Sequence, residues 1–184
     1  MSDFEQIEVG TISVAASSLS ITSIPSTYTH LELTFNVHCT QDSRSLNCFV
    51  QLNGDTGSKY GSAQLYSFNG DNWAFRNQYT GTGYNVQYPF EAPGLYGTGS
   101  GNRDTNHTST TVFRFFNYAG TTLNKLFTAW CASPFGVAHG NNDGCAQEIG
   151  VYTFDSTAAI NQITLLPEAG NFDTGAKYML AGYK

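Results

Sequence analysis

Apolar and polar residues alternate along several short stretches of this chain. The clearest example is THLELTFNVHC at residues 29–39, where Leu31, Leu33, Phe35 and Val37 are separated by single polar residues. Because successive side chains of a β-strand point to opposite faces, this pattern puts the apolar residues on one face and the polar residues on the other. It predicts a strand with one face in a core and one face toward water.

Similar patterns predict further strands along the chain. They cover QIEVGTISV (6–14), LSITSIP (19–25), NCFVQLNGDTG (47–57), NKLFTAWCA (124–132), EIGVYTF (148–154), INQITLL (160–166) and KYMLAGY (177–183). Gly10 interrupts the first of these, and we expect a bulge or bend there. The last strand runs almost to Lys184. We expect it to tie down the end of the chain in a sheet, with core side chains from Leu180 and Tyr178.

One predicted strand, TSTTVFRFFNYAG at residues 108–120, is apolar on both faces. Phe113 and Phe115 point one way, whereas Val112 and Phe116 point the other. Such a strand is either central in a sheet and covered on both sides, or part of an interface. Phe113 and Phe116 are therefore candidate subunit contacts.

The middle of the chain, residues 59–106, shows little periodicity and is rich in glycine and aromatic residues. We expect a long irregular insertion here, with short strands near 64–68 and 85–90. Four aromatic residues in it are candidate contact residues, namely Trp73, Tyr79, Tyr84 and Tyr88. They could contact another subunit, stack on a sugar ring, or pack beneath the insertion as a satellite cluster, with subunit contact favoured over sugar binding.

Composition agrees with an all-β protein. The 184 residues include 19 glycines, 40% are hydrophobic and 14% are aromatic. Only 12% are charged, about half the usual ~25%. No sustained period of 3.6 residues indicates helices. We therefore predict a single domain over residues 1–184, built as an antiparallel two-sheet β-sandwich of jelly-roll type.

The charge distribution and the length of the apolar runs argue against two classes of partner, nucleic acids and membranes. The chain carries a net charge of −6, and its eight basic residues are scattered. Nucleic-acid binding needs clustered Lys and Arg, so we expect none. No apolar run approaches the ~20 residues that span a bilayer, so we expect no membrane partner. The opening MSDFEQIEVG lacks the basic and apolar regions of a secretory signal, and we expect synthesis in the cytoplasm of a host cell.

Catalytic chemistry finds no support in the sequence. The four histidines, His30, His38, His107 and His139, accompany no nucleophile motif such as G-x-S-x-G. Acidic residues that glycosidase chemistry could use are scattered, namely Asp55, Asp71, Glu91, Asp104, Asp143 and Glu148. We predict a protein without enzymatic activity and without a cofactor.

Metal binding is also not predicted. The loops NGDTG, NGDNW and GNNDG offer oxygen atoms but lack the ligand spacing of an EF-hand, and turn formation explains them equally well. The cysteines Cys39, Cys48, Cys131 and Cys145 have no zinc-like spacing. We expect small, partly buried thiols. A disulfide between Cys39 and Cys48, which flank the loop TQDSRSLN, is the alternative.

Three segments resemble a known type of protein. SLSITSIPSTYTHLELTF, LNGDTGSKY and STAAINQITLLPEAGNFDTGAKYML are similar to a widespread type of small virion protein of tailed bacteriophages. That type has an Ile-Pro-Ser-x-Tyr-x-His-Leu lead-in to its third strand, an Asn-Gly-Asp-x-Gly-Ser-x-Tyr turn, and a Leu-x-Pro-x-x-Gly-Asn-Phe-x-x-Gly-Ser hairpin before its final strand. This chain departs at Ala176, where Ser is usual, and at its AGYK ending. Residues 64–150 match nothing in the type.

The resemblance implies a structural role in a virion. The favoured role is a capsid decoration, or cement, protein that binds the major capsid protein or other virion proteins as an oligomer, with a trimer expected. The alternative is a tail-fibre or tail-tip module that binds a receptor or a glycan of the host surface. The chain has no heptad, collagen-like or β-helix repeat to build a fibre shaft, so either role requires docking onto a larger assembly.

Overall fold

A computed structural model describes residues 4–37, 39–40, 46–57, 59–68, 74–78, 91–95, 108–134 and 145–184. The described residues form twelve β-strands and no helix. The strands are β1 Phe4–Thr11, β2 Leu19–Ile21, β3 His30–Val37, β4 Leu46–Leu52, β5 Tyr60–Phe68, β6 Ala74–Gln78, β7 Glu91–Leu95, β8 Ser109–Phe116, β9 Lys125–Pro134, β10 Cys145–Phe154, β11 Ile163–Pro167 and β12 Lys177–Tyr183. The all-β prediction is confirmed.

The strands pair into two antiparallel sheets. The larger sheet has the order β1-β12-β3-β8-β9-β10-β5-β6, and the smaller has the order β2-β11-β4-β7. Apolar side chains from both sheets share one buried cluster, which makes the arrangement a β-sandwich. A jelly roll divides eight strands into two Greek keys. Since these sheets hold eight and four strands, the jelly-roll detail stays a prediction.

The core is built from the inward faces of the strands whose alternation is clearest. On β3, Leu31, Leu33, Phe35 and Val37 are buried, while His30 and the residues between them face outward. Aromatic rings continue this layer across the larger sheet as a stacked row, with Phe113–Phe115, Phe115–Phe127 and Phe127–Tyr152 centroids 6.4, 5.1 and 5.2 Å apart. Period-two patterning therefore located the inner face correctly.

One detail of the first strand differs from the sequence prediction. The bulge expected at Gly10 lies between Gln6 and Glu8 instead. Gly10 stays in register opposite Tyr178, and a Cβ at this position would come within 2.5 Å of the Tyr178 hydroxyl oxygen. The glycine makes room for a ring rather than for a bend.

The predicted irregular insertion is in part regular. The strand expected near 64–68 is the second half of β5, and β6 and β7 are strands that the sequence did not predict. The strand expected near 85–90 lies outside the described residues. Both β6 and β7 are short and lie at the end of a sheet, where few neighbours impose an apolar pattern.

The three segments that carry the resemblance meet at one end of the sandwich. Asn53 and Ile24 donate their main-chain N–H groups to the carbonyls of Gln162 and Asn161, at 2.9 and 3.0 Å. The hydroxyl of Tyr118 donates to the carbonyl of Pro25. These residues build turns and lock them together, so their role in this fold is structural.

The end of the chain is part of the larger sheet. Strand β12 pairs with β1 on one side and with β3 on the other. Leu180 is fully buried, as predicted. Tyr178 is half-buried, and its hydroxyl donates to Glu8 at 2.9 Å. The prediction of an ordered final strand is confirmed.

Candidate functional site

The outward side of the larger sheet carries a cluster of exposed apolar side chains. Its members are Leu65, Leu126, Trp130, Ile149 and Val151, each between 37% and 49% exposed. We call these five residues the apolar face. They come from β5, β9 and β10, which are adjacent in the sheet, so they form one continuous surface.

Strand register brings these side chains together. Trp130 lies opposite Ile149 on one side and Val112 on the other. Ile149 in turn lies opposite Leu65. Directly opposed residues on one face of a sheet have Cβ atoms only about 5 Å apart, so this row forms an unbroken apolar strip across four strands.

The local sequence explains why this surface exists. On β9 and β10 the inward positions supply core side chains such as Phe127 and Tyr152, beside the buried charged residues Lys125 and Glu148. The outward positions of the same strands are also apolar, and Ile149 and Val151 are β-branched residues that favour strands. Strands whose side chains are apolar on both faces normally have both faces covered. The outward side chains of these strands are partly exposed instead, so the face is suited to contact with another molecule.

The face is electrically neutral. The outward residues of β9, β10 and β5 over 126–132, 147–153 and 61–65 include no Lys, Arg, Asp or Glu. An ion pair lies at its margin on β8 and β3, where Arg114 Nε donates to Glu32 Oε2 at 2.8 Å. An apolar centre bounded by polar groups is the usual anatomy of a protein interface.

A groove of about 460 Å³ adjoins this margin. Its lining includes His30, Glu32, Arg114, Phe116, Tyr183 and Lys184. Phe116 packs edge-on against the His30 ring, with centroids 5.6 Å apart. The groove therefore combines aromatic surface with hydrogen-bonding and charged groups.

The structure separates the two phenylalanines that the sequence offered as contacts. Phe113 is completely buried within the aromatic row of the core, so its side chain has no surface to offer a partner. Phe116 is 37% exposed and lies opposite Leu126, beside the apolar face. Phe116 thus stays a candidate contact, and Phe113 belongs to the core. Trp73, Tyr79, Tyr84 and Tyr88 lie outside the described residues.

Sequence reasoning missed the apolar face itself. Trp130, Ile149 and Val151 lie within correctly predicted strands, but only β8 was recognised as apolar on both of its faces. The signal was present in β9 as well, where Leu126 is followed by Phe127 and Trp130 by Cys131. Comparing the residues on both faces of every predicted strand would have found the surface.

Three of the cysteines are buried thiols. Cys39, Cys48 and Cys131 are buried and unbridged, so the prediction of buried thiols is confirmed for them and Cys39 and Cys48 form no disulfide. Burial raises the pKa of the Cys131 thiol to about 12, and the nearby Glu148 carboxylate acts in the same direction. Burial also raises the pKa of Cys48 well above its ordinary value. Neither thiol provides a thiolate nucleophile near neutral pH.

The NGDTG loop is a structural turn. Both Asp55 carboxylate oxygens have partners, because Gly57 N donates to Oδ1 at 2.8 Å and Lys59 Nζ donates to Oδ2 at 2.7 Å. The other two loops considered for calcium, at residues 69–73 and 140–144, lie outside the described residues. Within the described part of the chain, no group of three His, Cys, Asp or Glu residues could hold a metal ion. The described residues also contain no helix long and apolar enough to cross a membrane.

Comparisons with known proteins give no assignment. No protein-family model matches the chain, and neither the curated proteins nor the solved structures include a significant match.

Proposed function

We propose that this protein is a non-enzymatic structural component of a tailed-bacteriophage virion. The favoured role is capsid decoration, in which an oligomer, with a trimer expected, binds the major capsid protein or other virion proteins. The observation that carries the proposal is the apolar face, because a patch of adjacent exposed apolar side chains marks a surface that binds another protein. The resemblance of the three turn segments to small phage virion proteins supplies the type of assembly.

The fold supports a scaffold role in a second way. The residues that define the resemblance, such as Asn53 and Pro25, form hydrogen bonds between turns. Tight turns at one end and an apolar sheet face on the side suit a rigid unit that is repeated on a lattice.

The groove beside His30 and Arg114 favours the alternative role, a tail-fibre or tail-tip module. Aromatic surface next to hydrogen-bonding groups is what recognition of a sugar requires. In this case the groove would bind a glycan of the host surface, and, in keeping with the proposed non-enzymatic role, the protein would leave that glycan intact.

The test is to locate the protein in purified virions. Quantitative mass spectrometry against the major capsid protein gives its copy number, and labelled antibody fragments seen by electron microscopy give its position. Hundreds of copies on the head are the expected result. A copy number near a dozen at the tail would favour the alternative, and absence from particles would refute both virion roles.

A further inference from the structure

The apolar face lacks a partner within the described residues, and its chemistry indicates which partner fits. We propose that it is a homotypic interface, where the face packs against the same face of another copy of this chain. The inference rests on the proposed function and deepens it, because it names a surface through which copies pair. A face that packs on itself joins two copies about a twofold axis, so this contact forms a dimer, and the expected trimer would form through a different contact.

Charge complementarity favours another copy over other occupants. The outward residues of the three strands carry no charge, so a partner with charged groups would lose their hydration and gain no ion pair. Another copy presents an equally uncharged surface. At the margin, Arg114 and Glu32 neutralise each other, so two copies can approach without bringing like charges together.

The size of the face fits the centre of a subunit interface. Strands lie about 4.8 Å apart and each residue adds about 3.4 Å, so three strands over seven residues cover roughly 340 Å². A standard interface buries about 800 Å² on each partner. The face therefore supplies the apolar centre, and the polar margin around Arg114 and Glu32 must supply the rim. Self-association is consequently expected to depend on concentration and to be strengthened when copies are held side by side.

The position of the face in the sheet determines how the copies join. Strands β9 and β10 are internal to the sheet, and their main-chain groups already pair with neighbouring strands. Another copy must therefore bind through side chains, with Trp130 and Val151 at the centre, and not by adding a strand.

Salt dependence distinguishes this interface from binding to a basic partner. Each copy carries a net charge of −6, so long-range repulsion opposes the approach of two copies. Added salt screens that repulsion and should strengthen self-association. Binding to a positively charged protein surface would weaken under the same change.

The experiment measures the mass of the purified full chain by sedimentation equilibrium over a range of concentrations, at low and at high salt. The variant Val151→Lys places a charge in the face. Val9→Lys is the matched control, since Val9 is also an exposed valine in a strand of the same sheet but lies on β1 at its far end. Circular dichroism checks that both variants fold.

We expect the wild type and Val9→Lys to approach twice the 20.0 kDa chain mass, and high salt to favour this dimer. Val151→Lys should weaken association on the order of tenfold or more. A wild type that stays monomeric at every concentration would overturn the proposal, as would a Val151→Lys protein that associates like the wild type.

A second variant covers the case in which Val151→Lys does not fold. Thr128 lies beside Val151 on the face, so Thr128→Cys in neighbouring copies should form a disulfide-linked dimer on mild oxidation, whereas the wild type should not. Failure of Thr128→Cys to cross-link would also refute the homotypic contact. The outcome is separable from the proposed function, because a monomer found in virions refutes only the interface, and an oligomer absent from virions refutes only the virion role.

Discussion

At the scale of single residues, Asn53 shows how a turn motif holds two parts of the chain together. Its backbone is left-handed, with φ of 55°. Its side-chain Oδ1 accepts from the N–H groups of Asn161 and Gln162 at 2.9 and 3.3 Å, and its Nδ2 donates to the carbonyl of Ala159 at 2.8 Å. Asparagine suits this position because it tolerates the left-handed region and offers both a donor and an acceptor.

Replacing Asn53 separates these two contributions. Asn53→Gly keeps the backbone conformation but loses three side-chain hydrogen bonds, so the free energy of unfolding should fall by about 1–3 kcal/mol. Asn53→Ala also places a Cβ in the left-handed region and should cost a further ~1–2 kcal/mol. Urea denaturation of both variants checks the order. An alanine variant as stable as the glycine variant would show that backbone strain contributes nothing here.

Tyr60 gives a pH-dependent prediction. Its hydroxyl accepts from Leu52 N at 3.0 Å and donates to the Asp55 carbonyl at 2.9 Å, and its ring stacks on Phe154. Burial raises the pKa of Tyr60 to about 12, against the ordinary value near 10. The folded protein holds the Tyr60 hydroxyl proton more tightly than the unfolded chain does. The contribution of this tyrosine to the free energy of unfolding is therefore complete below about pH 10 and is lost as the pH rises toward 12.

The variant Tyr60→Phe tests this contribution. It leaves the Leu52 N–H without its acceptor, which should cost about 1–3 kcal/mol near neutral pH. Between about pH 10 and 12 its stability should fall less steeply than that of the wild type, because one raised tyrosine pKa has been removed. Urea midpoints at several pH values measure both effects, and parallel pH profiles would contradict the role given to Tyr60.

At the scale of elements, β12 stabilises the sandwich from between β1 and β3. Leu180 is fully buried, whereas its neighbour Met179 is only partly buried. Leu180→Ala should lower the free energy of unfolding by about 2–5 kcal/mol, and Met179→Ala, the matched control, by clearly less. Deleting residues 177–184 removes the strand and exposes the edges of both neighbours, so insoluble protein is expected. A soluble deletion variant with an unchanged melting temperature would contradict the placement of β12.

The elements also show what the sequence could and could not predict. Alternation in β3 predicted its inner face because a local pattern directly reports burial. The neighbours of β12 could not be predicted, since pairing with β1 and β3 depends on residues more than 140 positions away along the chain. The exposure of Ile149 and Val151 escaped prediction for a related reason. An apolar residue in a strand looks the same in the sequence whether its face is covered or open.

At the scale of the whole molecule, the larger sheet uses its two faces differently. Its inner face packs on the smaller sheet and holds the aromatic row that includes Phe113 and Phe127. Its outer face is apolar over β5, β9 and β10 and polar over β3, where Glu32 pairs with Arg114. Stability thus depends on one face, and the proposed assembly depends on the other. Substitutions on the two faces should therefore have separable effects.

Phe113 and Phe116 test that separation within a single strand, β8. Phe113→Asp buries an unpaired carboxylate in the core and should abolish folding. Phe116→Asp changes a partly exposed side chain, so its melting temperature should stay near that of the wild type. Because Phe116 lies opposite Leu126 at the rim of the apolar face, its replacement should nevertheless weaken self-association and incorporation into particles. Sedimentation and particle copy number measure these effects. A folded Phe116→Asp protein that associates and incorporates normally would exclude this margin from the interface, and a soluble, folded Phe113→Asp protein would contradict the placement of the core.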